Sequence, residues 1–77
     1  MDEFQIIGVI IRKRRALLGL TQHDLSEMSG VALRTINALE RGKASINLKN
    51  LLAIIDVLGL EINLDIKTLN NGSETGM

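Results

Sequence analysis

The sequence predicts a mostly α-helical domain of four short helices, followed by one strand at its C-terminal end. Apolar residues recur at helical spacing along residues 3–58. A glycine follows each of the predicted helices, where a left-handed residue commonly ends a helix. From Leu60 to Lys67 apolar and polar residues alternate without a fault, which is the pattern of a strand with one buried face.

The central stretch from Thr21 to Gly42 predicts two short amphipathic helices with a break at Ser29-Gly30. The Thr21 hydroxyl is a suitable N-cap for the first helix, and the second begins near Ala32. Helical spacing turns four side chains inward, namely Leu25, Met28, Ile36 and Leu39. Two helices joined by a short glycine turn form a helix-turn-helix unit, whose second helix can enter the major groove of DNA.

The two outer helices have clear start signals. Asp2 and Gln5 resemble a capping box, which starts the first helix at Glu3, and Asn47 is the predicted N-cap of the last helix, Leu48 to Leu58. Gly8 inside the first helix costs roughly 1 kcal/mol relative to Ala, so we expect a close neighbour there. The predicted apolar stripes comprise Phe4, Ile7, Ile11 and Leu18 in the first helix, and Leu48, Leu51, Leu52, Ile54, Ile55 and Leu58 on a broad face of the last.

The predicted C-terminal strand implies a dimer. A single strand cannot satisfy its own ladder hydrogen bonds, and nothing else in the chain has a strand pattern. The same segment of a second copy would supply the partner, giving an antiparallel two-stranded ribbon across a two-fold axis. The predicted dimerisation residues are Leu60, Ile62, Leu64 and Ile66. We therefore expect a domain over residues 1–67, with dimerisation through 60–67 and a disordered tail over 68–77.

Composition narrows the class of protein. The 77 residues make one small domain with an aliphatic core, since Phe4 is the single aromatic residue. The chain has no cysteine, and its longest uncharged apolar run, Ile6 to Ile11, is far shorter than the ~20 residues of a membrane span. Asp2 and Glu3 are unlike the basic start of a secretory signal, so we expect a cytoplasmic protein without a membrane partner.

Charge is balanced overall but unevenly distributed. The formal net charge is zero, yet residues 1–43 hold seven of the nine Lys and Arg residues and five of the nine acids. This asymmetry indicates one face suited to a polyanion. The run from Arg12 to Arg15 includes Lys13 and Arg14. For these two residues, a solvated helix face that complements the helix dipole is as good an interpretation as contact with a polyanion.

Nothing in the sequence indicates an enzyme. His23 is the single histidine and is predicted to be a solvated residue near a helix start, without a cysteine nucleophile or a second histidine for a metal. No glycine-rich phosphate loop is present. We expect no catalytic residues, no metal and no cofactor.

The helix signals also carry a family resemblance. Residues spread over the first three predicted helices and the loop after them carry it: Gly8, Ile11-Arg12, Arg15 and Gly19-Leu20-Thr21-Gln22, followed by Asp24-Leu25-Ser26, Gly30-Val31, Thr35-Ile36 and Leu39 to Lys43. At these positions the chain resembles the Cro/C1-type (Xre) helix-turn-helix family. The match covers about residues 4–60 and implies a compact, lambda-repressor-like domain. The ending Leu58 to Leu64 further resembles the HipB-type antitoxins of HipA/HipB toxin–antitoxin pairs, in which a C-terminal strand joins two subunits.

The resemblance implies roles for individual residues. Arg15 and Glu40 match the positions of an internal ion pair between the first and third helices. The DNA-binding positions that it implies are Gln22, Ala32, Leu33, Arg34, Asn37, Ala38, Lys43 and Asn47. Alternatives stay open: Gln22 as an exposed first-turn residue, Lys43 as an ordinary loop charge and Asn47 as an N-cap only.

The function implied is a sequence-specific repressor that binds palindromic double-stranded DNA as a homodimer. As a HipB-type antitoxin it would also repress its own operon and bind a HipA-like kinase toxin. The alternative is a protein-binding module that neutralises a partner without reading DNA, which the apolar Ala32 and Leu33 and the zero net charge favour.

Overall fold

The computed structural model describes residues 1–67, and the tail predicted for residues 68–77 lies outside them. The described chain forms four α-helices: α1 (Glu3–Leu17), α2 (Gln22–Ser29), α3 (Leu33–Glu40) and α4 (Leu48–Val57). The four-helix prediction is confirmed. In the packed chain α3 lies against α1 and α2, and α4 lies against α2.

Side chains cap three of the four helix starts. Asp2 Oδ1 accepts from the Gln5 N–H at 2.8 Å while Gln5 Oε1 accepts from the Asp2 N–H at 2.9 Å, which is the predicted capping box. Thr21 and Asp24 form the same reciprocal pair at α2, with distances of 2.9 and 2.8 Å. Asn47 Oδ1 accepts from the Asn50 N–H at 2.8 Å and caps α4.

The core is aliphatic and draws on all four helices. Six side chains are fully buried, namely Ile11, Leu25, Ile36, Leu39, Ile54 and Leu58. The inward orientation predicted for Leu25, Ile36 and Leu39 is confirmed. Gly8 is buried against the backbone of α3. This is the close neighbour that we predicted from the unfavourable glycine inside a helix.

Several predicted core positions are wrong. Met28 is 59% exposed because α2 is only two turns long and buries a narrow face around Leu25. Leu48 and Leu52 are 62% and 46% exposed, so the buried face of α4 is narrower than the predicted one. In α1 the stripe is buried at Ile11, whereas Phe4 and Leu18 at its ends are exposed.

The predicted C-terminal strand is absent from the described part of this single chain, where residues 61–67 have no regular secondary structure. The physical reason is that a strand is defined by its ladder, and four helices offer no free edge to pair with. Leu60 is attached to the C-terminal end of α4, because its N–H donates to the Ile55 oxygen at 2.8 Å. Beyond it, Leu64 and Ile66 are 94% and 90% exposed.

Within residues 1–67, none of the helices has the length and apolar character needed to cross a membrane.

Candidate nucleic-acid interface

The first turn of α3 is exposed on one side. Ile36 and Leu39 are buried on one side of α3, whereas Ala32, Leu33 and Arg34 are exposed at its N-terminal end. Among residues 1–67, no side chain caps this helix start, unlike those of the other three helices. The beginning of α3 is therefore free for contacts outside the chain, as the predicted DNA-binding role requires.

The turn between α2 and α3 is held by α2 itself. Gly30 ends α2 with a φ of 76°, in the left-handed region that glycine adopts without strain. Ser26 Oγ donates to the Val31 oxygen at 2.6 Å, and the Val31 N–H donates to Ser29 Oγ at 3.2 Å. Val31 is itself buried, so the angle between the two helices is determined at both ends of the turn.

Arg15 of α1 and Glu40 of α3 form a two-pronged ion pair. Arg15 Nε and Nη2 lie 2.6 and 2.8 Å from the two Glu40 carboxylate oxygens. The third prong, Arg15 Nη1, donates to the Leu20 oxygen at 2.7 Å, and only 1% of the Glu40 side chain is exposed. The hydrogen bond from Arg15 to Glu40 raises the pKa of Arg15 above its ordinary value, against the opposing effect of burial.

Two of the predicted DNA-binding side chains are connected to this ion pair. Gln22 Nε2 donates to Glu40 Oε1 at 3.0 Å, and Asn37 Nδ2 donates to Gln22 Oε1 at 3.1 Å. Both amides are half-buried. We call Glu40, Gln22 and Asn37 the amide relay, because one buried carboxylate is connected through two amides to the outer side of α3.

The sequence did not reveal this relay. Gln22 and Asn37 are 15 residues apart on different helices, and their contact depends on the angle at the Gly30 turn. A polar residue at the start of α2 and another in the middle of α3 were the available signals.

The remaining predicted positions lie around α3. Ala38 is half-buried, and its oxygen accepts from the Lys43 N–H at 2.9 Å in the loop that follows the helix. The Lys43 side chain is exposed, as is that of Asn47, which also caps α4. Their exposure permits contact with a phosphate backbone.

Arg14 has a structural contact that the sequence did not reveal. Its Nε donates to the Leu58 oxygen at 2.8 Å and connects the end of α1 to the end of α4. A buried carbonyl at a helix C-terminus is a suitable acceptor for an arginine. The interpretation of Arg14 as part of a solvated face is therefore wrong, whereas Lys13 is exposed.

No metal-binding cluster is found in the part of the chain that the structure describes. His23 lies 3.9 Å from Glu27 on the same face of α2, and both side chains are about 70% exposed. This pair lies in open solvent.

Comparison with known proteins identifies a family and a relative. Residues 11–64 match the helix-turn-helix family. The chain is also similar to an uncharacterized HTH-type transcriptional regulator of Methanothermobacter thermautotrophicus, with 44% identity over 61 residues that cover 79% of this chain and 88% of the relative.

Proposed function

Since this chain belongs to the helix-turn-helix family, we propose that it is a sequence-specific DNA-binding transcriptional repressor of the cytoplasm. One observation carries the proposal: the first turn of α3 is exposed and uncapped, while the opposite face of the same helix is anchored in the core by Ile36 and Leu39. A helix held in this way can enter the major groove with its N-terminal residues against the base edges.

The contacts divide into base recognition and backbone binding. Arg34 is exposed on the first turn of α3 and can donate two hydrogen bonds to guanine O6 and N7. Ala32 and Leu33 offer apolar contacts to thymine methyl groups. Lys43 and Asn47 follow α3 and suit phosphate oxygens. The full set that we propose for DNA contact is Gln22, Ala32, Leu33, Arg34, Asn37, Ala38, Lys43 and Asn47.

A binding titration tests this proposal. The full chain is titrated with DNA from its own upstream region at several salt concentrations, and we expect specific binding that weakens as salt rises. Lys43→Ala should weaken binding to all sequences and lower the salt slope by about 1, whereas Arg34→Ala should relax specificity at one guanine by about 1–3 kcal/mol. Lys49→Ala, which removes an exposed charge from α4, is the matched control.

We propose further that two copies bind a palindromic operator as a homodimer joined by residues 60–67. Support comes from the alternating pattern of this segment and from Leu64 and Ile66, whose apolar side chains are almost fully exposed in the single chain. An open cavity of about 290 Å³ lies beside it, lined with apolar side chains that include Ile10 and Ile62. Deletion of residues 60–67 followed by sedimentation tests the dimer, and a truncated chain that remains dimeric would contradict it.

The narrower proposal is that the repressor is an antitoxin that represses its own operon and binds a HipA-like kinase toxin. It rests on the resemblance of Leu58 to Leu64 to HipB-type antitoxins. Co-expression with the product of the neighbouring gene tests it. A stable complex with a kinase-fold protein supports the antitoxin role, and the absence of any complex with that product contradicts it.

A second candidate function is a protein-binding module that does not read DNA. The observation in its favour is the apolar start of α3, where Leu33 is 43% exposed. The salt titration separates the two functions, because a module that ignores DNA has no salt-dependent specific binding.

A further inference from the structure

The amide relay has a defined hydrogen-bond direction, which originates at Glu40. A carboxylate paired with arginine only accepts hydrogen bonds, so Gln22 must turn its NH2 group toward Glu40 Oε1, 3.0 Å away. This leaves the Gln22 oxygen facing Asn37, and only the Asn37 NH2 group can satisfy it, at 3.1 Å. The buried charge on Glu40 therefore determines the orientation of both amides.

The orientation decides what Asn37 can offer to a ligand. One N–H of Asn37 is used by Gln22, which leaves the second N–H and the Oδ1 atom. Within residues 1–67, Asn37 Oδ1 accepts no hydrogen bond. Asn37 thus presents one donor and one acceptor together.

This donor–acceptor pair matches one base. Adenine presents the N7 acceptor and the N6 amino donor in the major groove, which an asparagine amide contacts with one N–H and its oxygen. Guanine presents two acceptors, N7 and O6, so the Asn37 oxygen would face an oxygen. A phosphate has only acceptor oxygens and would leave Oδ1 unpaired against negative charge.

We propose that Asn37 is a specificity-determining residue that selects adenine, and that Glu40 and Gln22 are positioning residues that orient its amide for this contact. This inference rests on the proposed DNA-binding function and deepens it. Gln22 then acts mainly through Asn37, with one remaining N–H available to a phosphate. Glu40 contributes to recognition through the two amides, although only 1% of its own side chain is exposed.

The experiment selects the preferred operator from a random library with the full-length chain, and then measures the affinity for operators with each base at every position of one half-site. For the wild type we expect one adenine whose replacement by guanine weakens binding by about 5- to 150-fold. This factor corresponds to the ~1–3 kcal/mol that a bidentate contact contributes to base discrimination. Asn37→Ala should abolish this preference at that position alone.

Two variants break the relay at different points. Glu40→Gln replaces the pure acceptor with an amide that can donate or accept, and Gln22→Met removes the middle amide while leaving the Arg15–Glu40 pair in place. In both variants the Asn37 side-chain amide can rotate by about 180° and exchange its NH2 group and its oxygen. The adenine preference should therefore fall to about threefold or less. Any contact of Gln22 with a phosphate would instead change affinity equally for all four bases.

The control is Ile54→Val, a core change in α4 that lowers stability without touching the relay. Circular dichroism verifies that each variant is folded at the assay temperature, and Gln22→Met provides the test if Glu40→Gln does not fold. Ile54→Val should keep the full adenine preference, which shows that lost stability alone does not change it.

The outcomes separate the two levels of the proposal. A wild-type chain that selects no sequence overturns both the proposed function and the relay. A wild-type chain that selects a sequence, with an adenine preference unchanged in Gln22→Met, overturns the relay only. Selection of guanine at the position that Asn37→Ala affects has the same consequence.

Discussion

Gly8 of α1 lies directly against the carbonyl group of Leu39 in α3, and a Cβ atom on Gly8 would collide with the Leu39 oxygen. The same Cβ position is only 3.4 Å from the Glu40 Cα atom. The two helix backbones therefore touch at this point. Their contact places Glu40 within reach of Arg15, two turns further along α1, and so supports the ion pair on which the candidate interface is built.

Gly8→Ala should destabilise the protein although alanine is the better helix former. The added methyl group meets backbone rather than a flexible side chain, and overpacking of this kind costs about 1–3 kcal/mol. Lys13 in the same helix is exposed and offers the matched comparison: Lys13→Ala should be about 1 kcal/mol more stable than Lys13→Gly. Urea unfolding measures all three, and a Gly8→Ala variant as stable as the wild type would show that the close contact is absent.

Removal of Arg15 should cost more than removal of the whole ion pair. Arg15→Met leaves the Glu40 carboxylate buried without its charge partner, for which losses of about 3–5 kcal/mol are typical. Arg15→Met combined with Glu40→Leu removes both charges and should be more stable than Arg15→Met alone. The free energy of unfolding from urea titrations tests this order. The reverse order would mean that solvent reaches Glu40.

The exposed residues of the C-terminal segment should affect association and not the fold. Leu64→Ser with Ile66→Ser changes side chains that are 94% and 90% exposed in the single chain, so the stability of a monomer should stay the same. The variant should nevertheless sediment as a monomer at concentrations where the wild type is dimeric. Asn63→Ser with Asp65→Ser changes the other face of the segment and should leave the dimer intact. Equal dissociation in both variants would contradict a ribbon with one apolar face.

The Thr21–Asp24 capping box makes stability depend on acid pH. Hydrogen bonds from the Thr21 backbone N–H and hydroxyl lower the pKa of Asp24 below its ordinary value. Because the folded pKa is the lower one, this contribution is complete above the unfolded pKa of about 3.9 and is lost as the pH falls through the folded pKa. As the pH falls below about 4, the free energy of unfolding should therefore decrease less for Asp24→Asn than for the wild type. Urea midpoints measured across this range check the prediction, which equal acid slopes would contradict.

Local interactions made much of the fold predictable from the sequence. Capping interactions lie within one helical turn, so Asp2 with Gln5 and the Thr21 hydroxyl identify helix starts without knowledge of the tertiary structure. The return hydrogen bond from the Thr21 N–H to Asp24, which completes the capping box of α2, was not predicted. The glycine turn at Gly30 and the periodic burial of Ile36 and Leu39 follow from equally short spacings. The family resemblance added the pairing of Arg15 with Glu40, which 25 residues separate.

The errors concern positions whose environment depends on which helices are neighbours. Met28, Leu48 and Leu52 satisfy a helical period, but a period predicts a face and not what covers it. Arg14 lies in a basic run that resembles a solvated surface, yet the end of α4 provides a carbonyl acceptor for it. Such contacts depend on the packing of helices that are distant in the sequence.

By itself the sequence determined the number of helices, the N-caps of three of them, the glycine turn and the aliphatic character of the core, because these depend on composition and on interactions within one or two turns. Only the tertiary structure decided that Glu40 is buried, that Gln22 and Asn37 meet, and that the first turn of α3 is left open. Hydrogen-bond partners separated by 15 to 44 residues are brought together by helix packing, and the geometry of that packing is a property of the whole chain.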